Sequence, residues 1–248
     1  DALEAQTGRA VDAILDAERP VPLTYEYVET PLEGTVELAV HDGDAPIYIV
    51  HFSQDAALAC AQSLSSFGLA SKDQRVAIKE AMSGTRFSTA FGKTLKRLLE
   101  AGIGVHHAGM LPRYRRLVER LAREGLLAVI CGTDTLGVGI NVPIRTVVLT
   151  SLVKFDGARE RHLSAREFHQ IAGRAGRARG YVVVQAPEHV IDNARALARA
   201  GDDERKRRRI VRKKAPEGRV NWTDKTYLRL RDATPETLTS QFQVTTTM

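Results

Sequence analysis

Cysteine, tryptophan and long apolar runs are scarce in this chain. Its 248 residues include 2 cysteines and 1 tryptophan, and no apolar run exceeds the six residues of Leu126–Cys131. A membrane-spanning helix needs about 20 apolar residues, and the first residues lack the basic and apolar regions of a signal peptide. Cys60 and Cys131 show no metal-ligand spacing, so we expect reduced core thiols in a cytoplasmic protein. The sequence thus predicts neither membrane insertion nor secretion nor a metal site.

Charge is abundant but unevenly distributed. The chain has 36 Lys and Arg against 30 Asp and Glu, a net charge of +6, and the stretch 201–219 alone holds nine basic and four acidic residues. With 43% apolar residues, the composition is typical of a globular protein of one or two domains. Charge alone leaves the basic stretch open between a solvated face and a surface for phosphate backbones.

Short β-branched runs alternate with amphipathic helical stretches from Ile47 onward. The pattern predicts strands at 47–52, 103–106, 126–131, 146–150 and 181–185, and helices at 54–67, from Pro112 to Gly125, from about Ala165, and at 188–200. Strands separated by helices pair in parallel through right-handed crossovers. Apolar strands with little alternation suit a sheet covered on both faces. The predicted fold class is α/β, a doubly wound parallel sheet with helices on both faces.

The flanks differ from this predicted core, which covers residues 45–200. Residues 1–44 hold a helix-like stretch at 2–17 and a strand-like run at 23–28, and are interpreted as a linker from a preceding domain. Residues 201–248 form a basic, then polar, C-terminal extension. Because the chain starts without Met and ends without a stop signal, we expect it to be part of a longer protein.

The strongest chemical signal is the run Gln170–Arg177, QIAGRAGR. Ser164 and Glu167 match a capping box, which predicts a helix that begins at about Ala165 and continues through the run. Helical spacing would place three side chains together on one face: Gln170, Arg174 and Arg177. The opposite, core-facing side would hold Phe168, Ile171, Ala172 and Ala175. Paired guanidinium groups suit a polyphosphate, because each donates two parallel hydrogen bonds.

Two glycines interrupt this predicted helix. Gly173 and Gly176 each cost roughly 1 kcal/mol relative to alanine, a cost that is explained if something bulky approaches the backbone there. The alternative is a basic surface helix with incidental glycines.

A glycine-rich loop follows the third predicted strand. The run Gly132–Pro143, GTDTLGVGINVP, combines three glycines with two threonines, an acid and an amide. Loops at the carboxyl ends of parallel strands form the ligand crevice of such a sheet, and glycines let backbone N–H groups converge on an anion. The alternative is a loop that only turns the chain.

A second loop, Gly104–Pro112 or GVHHAGMLP, follows the strand at 103–106. A helix that begins at Pro112, with Arg113 in its first turn, offers N–H groups and positive charge to a phosphate. Adjacent histidines on an extended strand point to opposite sides, so this loop does not predict a metal site. The triplet at 92–94, GKT, resembles the end of a phosphate-binding loop, but Phe87 stands where that motif needs glycine.

In this order the motifs resemble those of the second RecA-like domain of superfamily 2 helicases, the helicase conserved C-terminal domain. The resemblance covers about residues 19–186 and is closest to the Ski-like DExH group, its actinobacterial members in particular. Ile47–Ser53 resembles motif IV, and the three loops above resemble motifs IVa, V and VI. Residues 238–242 resemble the passage into the winged-helix domain of these helicases, so the extension would lead towards such a domain.

The resemblance implies an ATP-dependent helicase and assigns roles to individual residues. ATP with Mg²⁺ would be bound mainly by the first RecA-like domain, and the partner would be single-stranded or partly duplex nucleic acid, RNA favoured. The implied catalytic residues are the arginine fingers Arg174 and Arg177, with Gln170 orienting them. The implied nucleotide-binding residues are Gly137, Gly139, Asn141 and Gly173. The implied nucleic-acid-binding residues are Thr133, His107, Gly109, Ser53 and Arg113.

The chain departs from a complete helicase in one respect. It contains neither the Walker A motif nor the DExH quartet, so we expect it to be inactive as an ATPase alone. The alternative function is a non-catalytic nucleic-acid-binding module that has kept a RecA-like fold.

Overall fold

A six-stranded parallel sheet organises the chain in the computed structural model, which describes residues 4, 8–10, 22–134, 142–176 and 179–236. The strands in these ranges are β1 (Leu23–Val28), β2 (Ile47–His51), β3 (Ile103–His106), β4 (Val129–Thr133), β5 (Thr146–Leu149), β6 (Val153–Phe155), β7 (Glu160–His162) and β8 (Gly180–Gln185). The sheet order is β1-β8-β5-β2-β4-β3 with every neighbouring pair parallel, while β6 and β7 form a separate antiparallel hairpin. The predicted fold class, a doubly wound α/β sheet of the RecA-like type, is confirmed.

Helices surround the sheet. Within the described ranges they are α1 (Leu32–His41), α2 (Gln54–Leu64), α3 (Lys72–Ala81), α4 (Ala90–Glu100), α5 (Pro112–Arg123), α6 (Ala165–Ala172), α7 (Glu188–Ala200), α8 (Glu204–Arg208) and α9 (Asp224–Asp232), with a 3₁₀ turn at Ser65–Phe67. Hydroxyl side chains accept backbone N–H bonds at the starts of four of them, from Ser53, Ser71, Thr89 and Ser164. Within the same ranges no helix has the length and apolar character that a membrane crossing requires.

The core is built on β2, β3, β4 and β5, and every residue of these four strands is buried. Their apolar runs show little alternation because helices pack around the sheet. The predicted strand at 126–131 begins three residues late, at Val129. Leu127 is buried and the N–H of Ala128 donates to the carbonyl of Gly102, so these apolar residues pack in the core before the ladder begins.

Helix α6 begins at the predicted capping box but ends at Ala172, earlier than predicted. The prediction that one helical face carries both Gln170 and Arg174 is therefore wrong, because Arg174 lies beyond the last turn. The chain leaves the helix at two glycines, and Gly176 adopts a φ of +117°, a backbone conformation that favours glycine. Its N–H donates to the carbonyl of Ile144 over 3.0 Å, which directs the chain towards β8.

Other parts of the α6 prediction are confirmed. The four side chains assigned to the core are all buried: Phe168, Ile171, Ala172 and Ala175. The positive φ of Gly176 is by itself a reason for glycine at this position. A bulky ligand close to the backbone is therefore not needed to explain it. Arg177 lies outside the described residues.

The N-terminal flank contributes to the sheet. Leu23–Val28, placed by sequence in a linker, is the edge strand β1 and pairs along the whole of β8. Of the helix-like stretch at 2–17, the structure describes only residue 4 and residues 8–10.

The C-terminal extension also packs against the sheet domain. The rings of Tyr27 on β1 and Tyr227 on α9 stack with their centroids 5.8 Å apart. Beyond α9, the carboxylate of Glu236 accepts the N–H groups of Ala165 and Arg166 over 3.0 and 2.8 Å. The start of α6 is thus capped from two sides, by Ser164 and by Glu236.

Candidate functional site

The carboxyl ends of the parallel strands meet along one edge of the sheet. His51 at the end of β2 lies beside Thr133 of β4, and His106 of β3 lies beside Gly132. The residues implied to bind nucleic acid follow these strands directly, as Ser53 after β2 and residues 107–113 after β3. The fold therefore brings the resembled motifs IV, IVa and V to one edge, where ligands of open α/β sheets bind.

Ser53 and Gly109 are neighbours through the side chain of Gln54. The Ser53 hydroxyl caps α2 by accepting the N–H of Ala56 over 3.1 Å. A Cβ built on Gly109 would lie 2.5 Å from Oε1 of Gln54, so the Gln54 amide packs directly against Gly109. The start of α2 and the loop after β3 thus form one continuous surface.

The two adjacent histidines of that loop are both buried. His106 Nε2 lies 3.1 Å from Oε1 of Glu119 on α5, and the His107 ring makes an edge contact with Phe91 at 5.9 Å. Burial lowers the pKa of both imidazoles, against the opposing pull of nearby carboxylates. The resemblance implies that His107 contacts nucleic acid, but the residue is only 8% exposed, so little of its side chain reaches the surface.

Arg113 is exposed at the start of α5, next to this edge. Its guanidinium carbon lies 4.8 Å above the ring of Tyr114, and Nη2 donates to the Tyr114 hydroxyl over 3.3 Å. No side chain caps α5. Arg113 therefore adds a positioned positive charge to a helix start, an arrangement that favours anions.

The end of β4 is held by a buried tyrosine. The Tyr48 hydroxyl donates to the carbonyl of Thr133 over 2.6 Å, and both residues are buried. A Cβ on Gly132 would lie 2.7 Å from that hydroxyl, so glycine makes room for the ring. Burial raises the pKa of Tyr48 while the positive charge of Arg174 acts in the opposite direction. Tyr48 thus holds the end of β4 in place.

A lysine joins the same strand end to helix α6. Lys154 Nζ lies 2.8 Å from Oδ2 of Asp134 and 3.1 Å from Oε1 of Glu167. Burial opposes the charge of Lys154, but its hydrogen bonds to the two carboxylates raise its pKa. Arg161 adds a bidentate pair to Glu167, with both N···O distances 2.8 Å. The Arg161 hydrogen bonds lower the pKa of Glu167 to about 2, despite its partial burial.

The implied residues of motif VI are described only in part. Gln170 and Gly173 are exposed, at the end of α6 and just after it, and Arg174 is half-buried. Four implied site residues lie outside the described residues: Gly137, Gly139, Asn141 and Arg177. The roles of all these residues stay predictions.

Sequence reasoning assigned no role to Lys154 or Tyr48. Lys154 lies between the segments that resemble motifs V and VI. Tyr48 reads as one more residue of an apolar strand, and its partner is a backbone carbonyl 85 residues away in sequence. Neither contact has a local sequence pattern that would predict it.

A second group of side chains lies beneath the same edge. Cys60 on α2 and Cys131 on β4 are buried free cysteines, and their sulfurs are 3.7 Å apart. A ring nitrogen of His51 lies within 4.8 Å of both sulfurs. The hydrogen bond from Cys131 lowers the pKa of Cys60 to about 6, whereas the same partnership and burial raise the pKa of Cys131. The expected core thiols are thus buried, but they adjoin a histidine that the sequence did not connect with them.

Comparison with known families matches two parts of the chain. Residues 68–179 match the helicase conserved C-terminal domain. Residues 186–248, which include α7 and the basic stretch, match a family described as a domain of unknown function, DUF3516. The helicase match covers β3, β4, β5 and α6, and so includes the segments that resemble motifs IVa, V and VI.

Several curated relatives carry helicase names. The DExH-box ATP-dependent RNA helicase DExH11 of Arabidopsis thaliana is 37% identical over 161 residues, 60% of this chain and 12% of the relative. The exosome RNA helicase MTR4 of Homo sapiens is 44% identical over 95 residues, 37% of this chain and 9% of the relative. The probable helicase HelY of Mycobacterium tuberculosis is 51% identical over 76 residues, 31% of this chain and 8% of the relative. The matched part therefore spans about a tenth of each relative's length.

Proposed function

The chain carries the conserved C-terminal domain of a superfamily 2 DExH helicase, and we propose that it works as the second motor domain of an ATP-dependent RNA helicase. In this role a first RecA-like domain binds ATP, and the two domains close over a single strand. Hydrolysis reopens them, and each cycle advances the strand or separates a duplex. RNA is favoured over DNA because DExH11 and MTR4, two of the similar proteins, are named RNA helicases.

The observation that carries this proposal is the physical link between the end of β4 and helix α6. Asp134 and Glu167 share Lys154, while Tyr48 donates to the carbonyl of Thr133. A motor must couple a nucleic-acid contact to a nucleotide contact. In this proposal the end of β4 holds nucleic acid, and the segment that begins with α6 holds the phosphates of ATP. The paired contacts would connect the two rigidly.

In the proposed mechanism, Arg174 and Arg177 reach across the domain cleft to the β- and γ-phosphates of ATP. Gln170 orients them, and Gly137, Gly139, Asn141 and Gly173 lie towards the nucleotide. Guanidinium groups suit this task because they are permanently charged and stabilise the charge that develops on the transferred phosphoryl group. The exposure of Gln170 and Gly173 is compatible with such a cleft.

Nucleic acid would follow the carboxyl edge of the sheet. Ser53, Gly109 and Arg113 are exposed there and would contact the phosphate backbone. Thr133 and His107 are buried and would shape the floor of the track. Backbone contacts of this kind give salt-sensitive binding without strong sequence preference.

Mg²⁺ does not fit the described carboxylates at this edge. Magnesium prefers free carboxylate and phosphate oxygens, whereas Asp134 and Glu167 are both engaged by Lys154. We therefore assign Mg²⁺ to ATP and the first domain and derive no step of this chain's chemistry through it. The contribution of this chain to catalysis is positive charge and its positioning. A cytoplasmic location is part of the proposal, supported by a sequence with only two cysteines.

The test is ATP hydrolysis by the protein that joins this domain to an ATP-binding domain, with and without single-stranded RNA or DNA. The 248-residue chain alone is the matched comparison. We expect turnover only in the longer protein, with stimulation by RNA. Absence of turnover in both would overturn the motor assignment and favour a non-catalytic nucleic-acid-binding module.

A further inference from the structure

Three potential metal ligands from three different elements converge beneath the carboxyl edge of the sheet. His51 ends β2, Cys60 lies in α2, and Cys131 lies in β4. The two sulfurs are 3.7 Å apart, and one ring nitrogen of His51 lies within 4.8 Å of both. These are the only two cysteines of the chain, 71 residues apart in sequence. The fold, not a local motif, brings them together.

The imidazole of His51 is oriented to leave one nitrogen lone pair free. Its Nδ1 lies 3.4 Å from the Thr150 hydroxyl oxygen, and that hydroxyl uses its own hydrogen to donate to the carbonyl of Val50 over 2.8 Å. Thr150 can therefore only accept from Nδ1, which places the ring proton on Nδ1. Nε2 is then a buried lone-pair nitrogen, and the His51 ring interacts with the Cys60 thiol. A lone-pair nitrogen beside a thiol can serve as a metal ligand once the thiol loses its proton.

We propose that His51, Cys60 and Cys131 form a binding site for a soft divalent cation, zinc in the first place. Zinc bonds to thiolate sulfur are about 2.3 Å long, so tetrahedral geometry sets two sulfurs about 3.8 Å apart. The observed separation is 3.7 Å. One imidazole and two thiolates are the ligand types zinc takes in proteins. Three protein ligands leave the fourth position to a water molecule.

The charge balance of such a site suits its burial. His51, Cys60 and Cys131 are 7%, 8% and 0% exposed. Two thiolates and a neutral imidazole offset the two positive charges of the ion, so no net charge is buried. Binding releases the proton of each thiol to solvent and involves no oxidation or reduction. Thr150 acts as the outer group that fixes the tautomer of the ligand, as is usual for histidines bound to zinc.

The site would cross-link β2, α2 and β4 directly below the proposed nucleic-acid track. Ser53 is two residues beyond His51, and Thr133 is two residues beyond Cys131. A bound ion would therefore stiffen the base of this edge. The proposal does not depend on helicase activity and is tested without it.

The experiment is metal analysis of the purified 248-residue chain, kept under reducing conditions, incubated with zinc chloride and then dialysed. We expect one zinc per chain, and replacement by Co²⁺ should give the thiolate-to-cobalt charge-transfer absorption and the strong visible bands of tetrahedral cobalt. Cys60→Ala, Cys131→Ala and His51→Phe should abolish binding. Thr150→Val, which removes the outer hydrogen bond, should weaken zinc binding by about 10- to 100-fold.

The matched control is His41→Ala, because His41 is exposed at the end of α1 and does not belong to the cluster; it should bind zinc like the wild type. The cobalt spectrum of the wild-type chain tests the proposal even if a ligand variant fails to fold. Two freely titrating thiols without bound metal would overturn the proposal. Purified without reductant, a metal-free chain whose thiols titrate only after reduction would also overturn it, and would identify a Cys60–Cys131 disulfide instead.

Discussion

Lys154 donates to Asp134 over 2.8 Å and so fastens the first strand of the β6–β7 hairpin to the residue that follows β4. The same ammonium group lies 3.1 Å from Glu167 on α6. One side chain therefore joins three segments that are separate in sequence. The side chains of Lys154 and Asp134 are each 21% exposed, so solvent screens this pair only in part.

Replacing Lys154 by methionine should uncouple these segments. The change keeps the length of the side chain but leaves two carboxylates without their shared cation, which should cost roughly 1–3 kcal/mol of unfolding free energy. In the proposed full-length helicase, RNA-stimulated ATP turnover should fall by about tenfold or more, equivalent to roughly 1.4 kcal/mol. Urea unfolding and steady-state ATPase assays measure the two effects.

The control for this prediction is Lys93→Met, because Lys93 is an exposed lysine on α4. It also belongs to the GKT triplet that mimics a phosphate-binding loop, and the structure places that triplet inside a helix rather than a loop. Lys93→Met should leave both stability and turnover near wild type. Equal losses in the two variants would contradict the coupling role of Lys154.

The pH dependence of stability should report the environment of Glu167. The Arg161 hydrogen bonds hold its folded pKa at about 2, below the ordinary 4.5. The ionised carboxylate therefore stabilises the fold fully above about pH 4.5, and this contribution is lost as the pH falls towards about 2. Unfolding free energies of the wild type and Glu167→Gln should differ most at neutral pH and converge on acidification. A difference that stays constant across this range would contradict the assignment.

Two helical glycines should respond in opposite directions to alanine. A Cβ on Gly92 of α4 would collide with the Tyr114 hydroxyl and lie 2.9 Å from its Cζ, whereas a Cβ on Gly34 of α1 would meet nothing within 4 Å. Gly92→Ala should destabilise the chain by about 1–3 kcal/mol through overpacking. Gly34→Ala should stabilise it by about 0.5–1 kcal/mol. Thermal or urea unfolding of the pair measures this, and stabilisation by Gly92→Ala would contradict the packing described.

Much of the sheet could be predicted from sequence, because buried strands and long amphipathic helices have strong periodic patterns. The strands at 23–28 and 103–106 and the helix at 188–200 have the predicted bounds. Helices α1, α3, α4 and α9 and the β6–β7 hairpin were not predicted. Helix α3 has one buried residue, Ile78, and α9 has two, so the apolar stripe that would reveal them is thin.

The candidate site was predicted in outline, from loops that follow strands. The contacts that connect the site could not be predicted, because they join residues that are distant in sequence. These contacts are Tyr48 to Thr133, Lys154 to Glu167, and Cys60 to Cys131. The extent of α6 was overestimated because Gly176 appears in sequence as a weak helix residue, while its positive φ directs the chain out of the helical path. Such backbone choices are set by the tertiary contacts of the following strand.

The most direct test of the central claim is ATP turnover in the proposed full-length helicase carrying Arg174→Ala or Arg177→Ala. The control is Arg123→Ala, at the exposed last residue of α5. Loss of an arginine finger should lower RNA-stimulated turnover by about a thousandfold or more and leave RNA binding nearly intact, while Arg123→Ala keeps both. Unchanged turnover in the Arg174 and Arg177 variants would contradict the account.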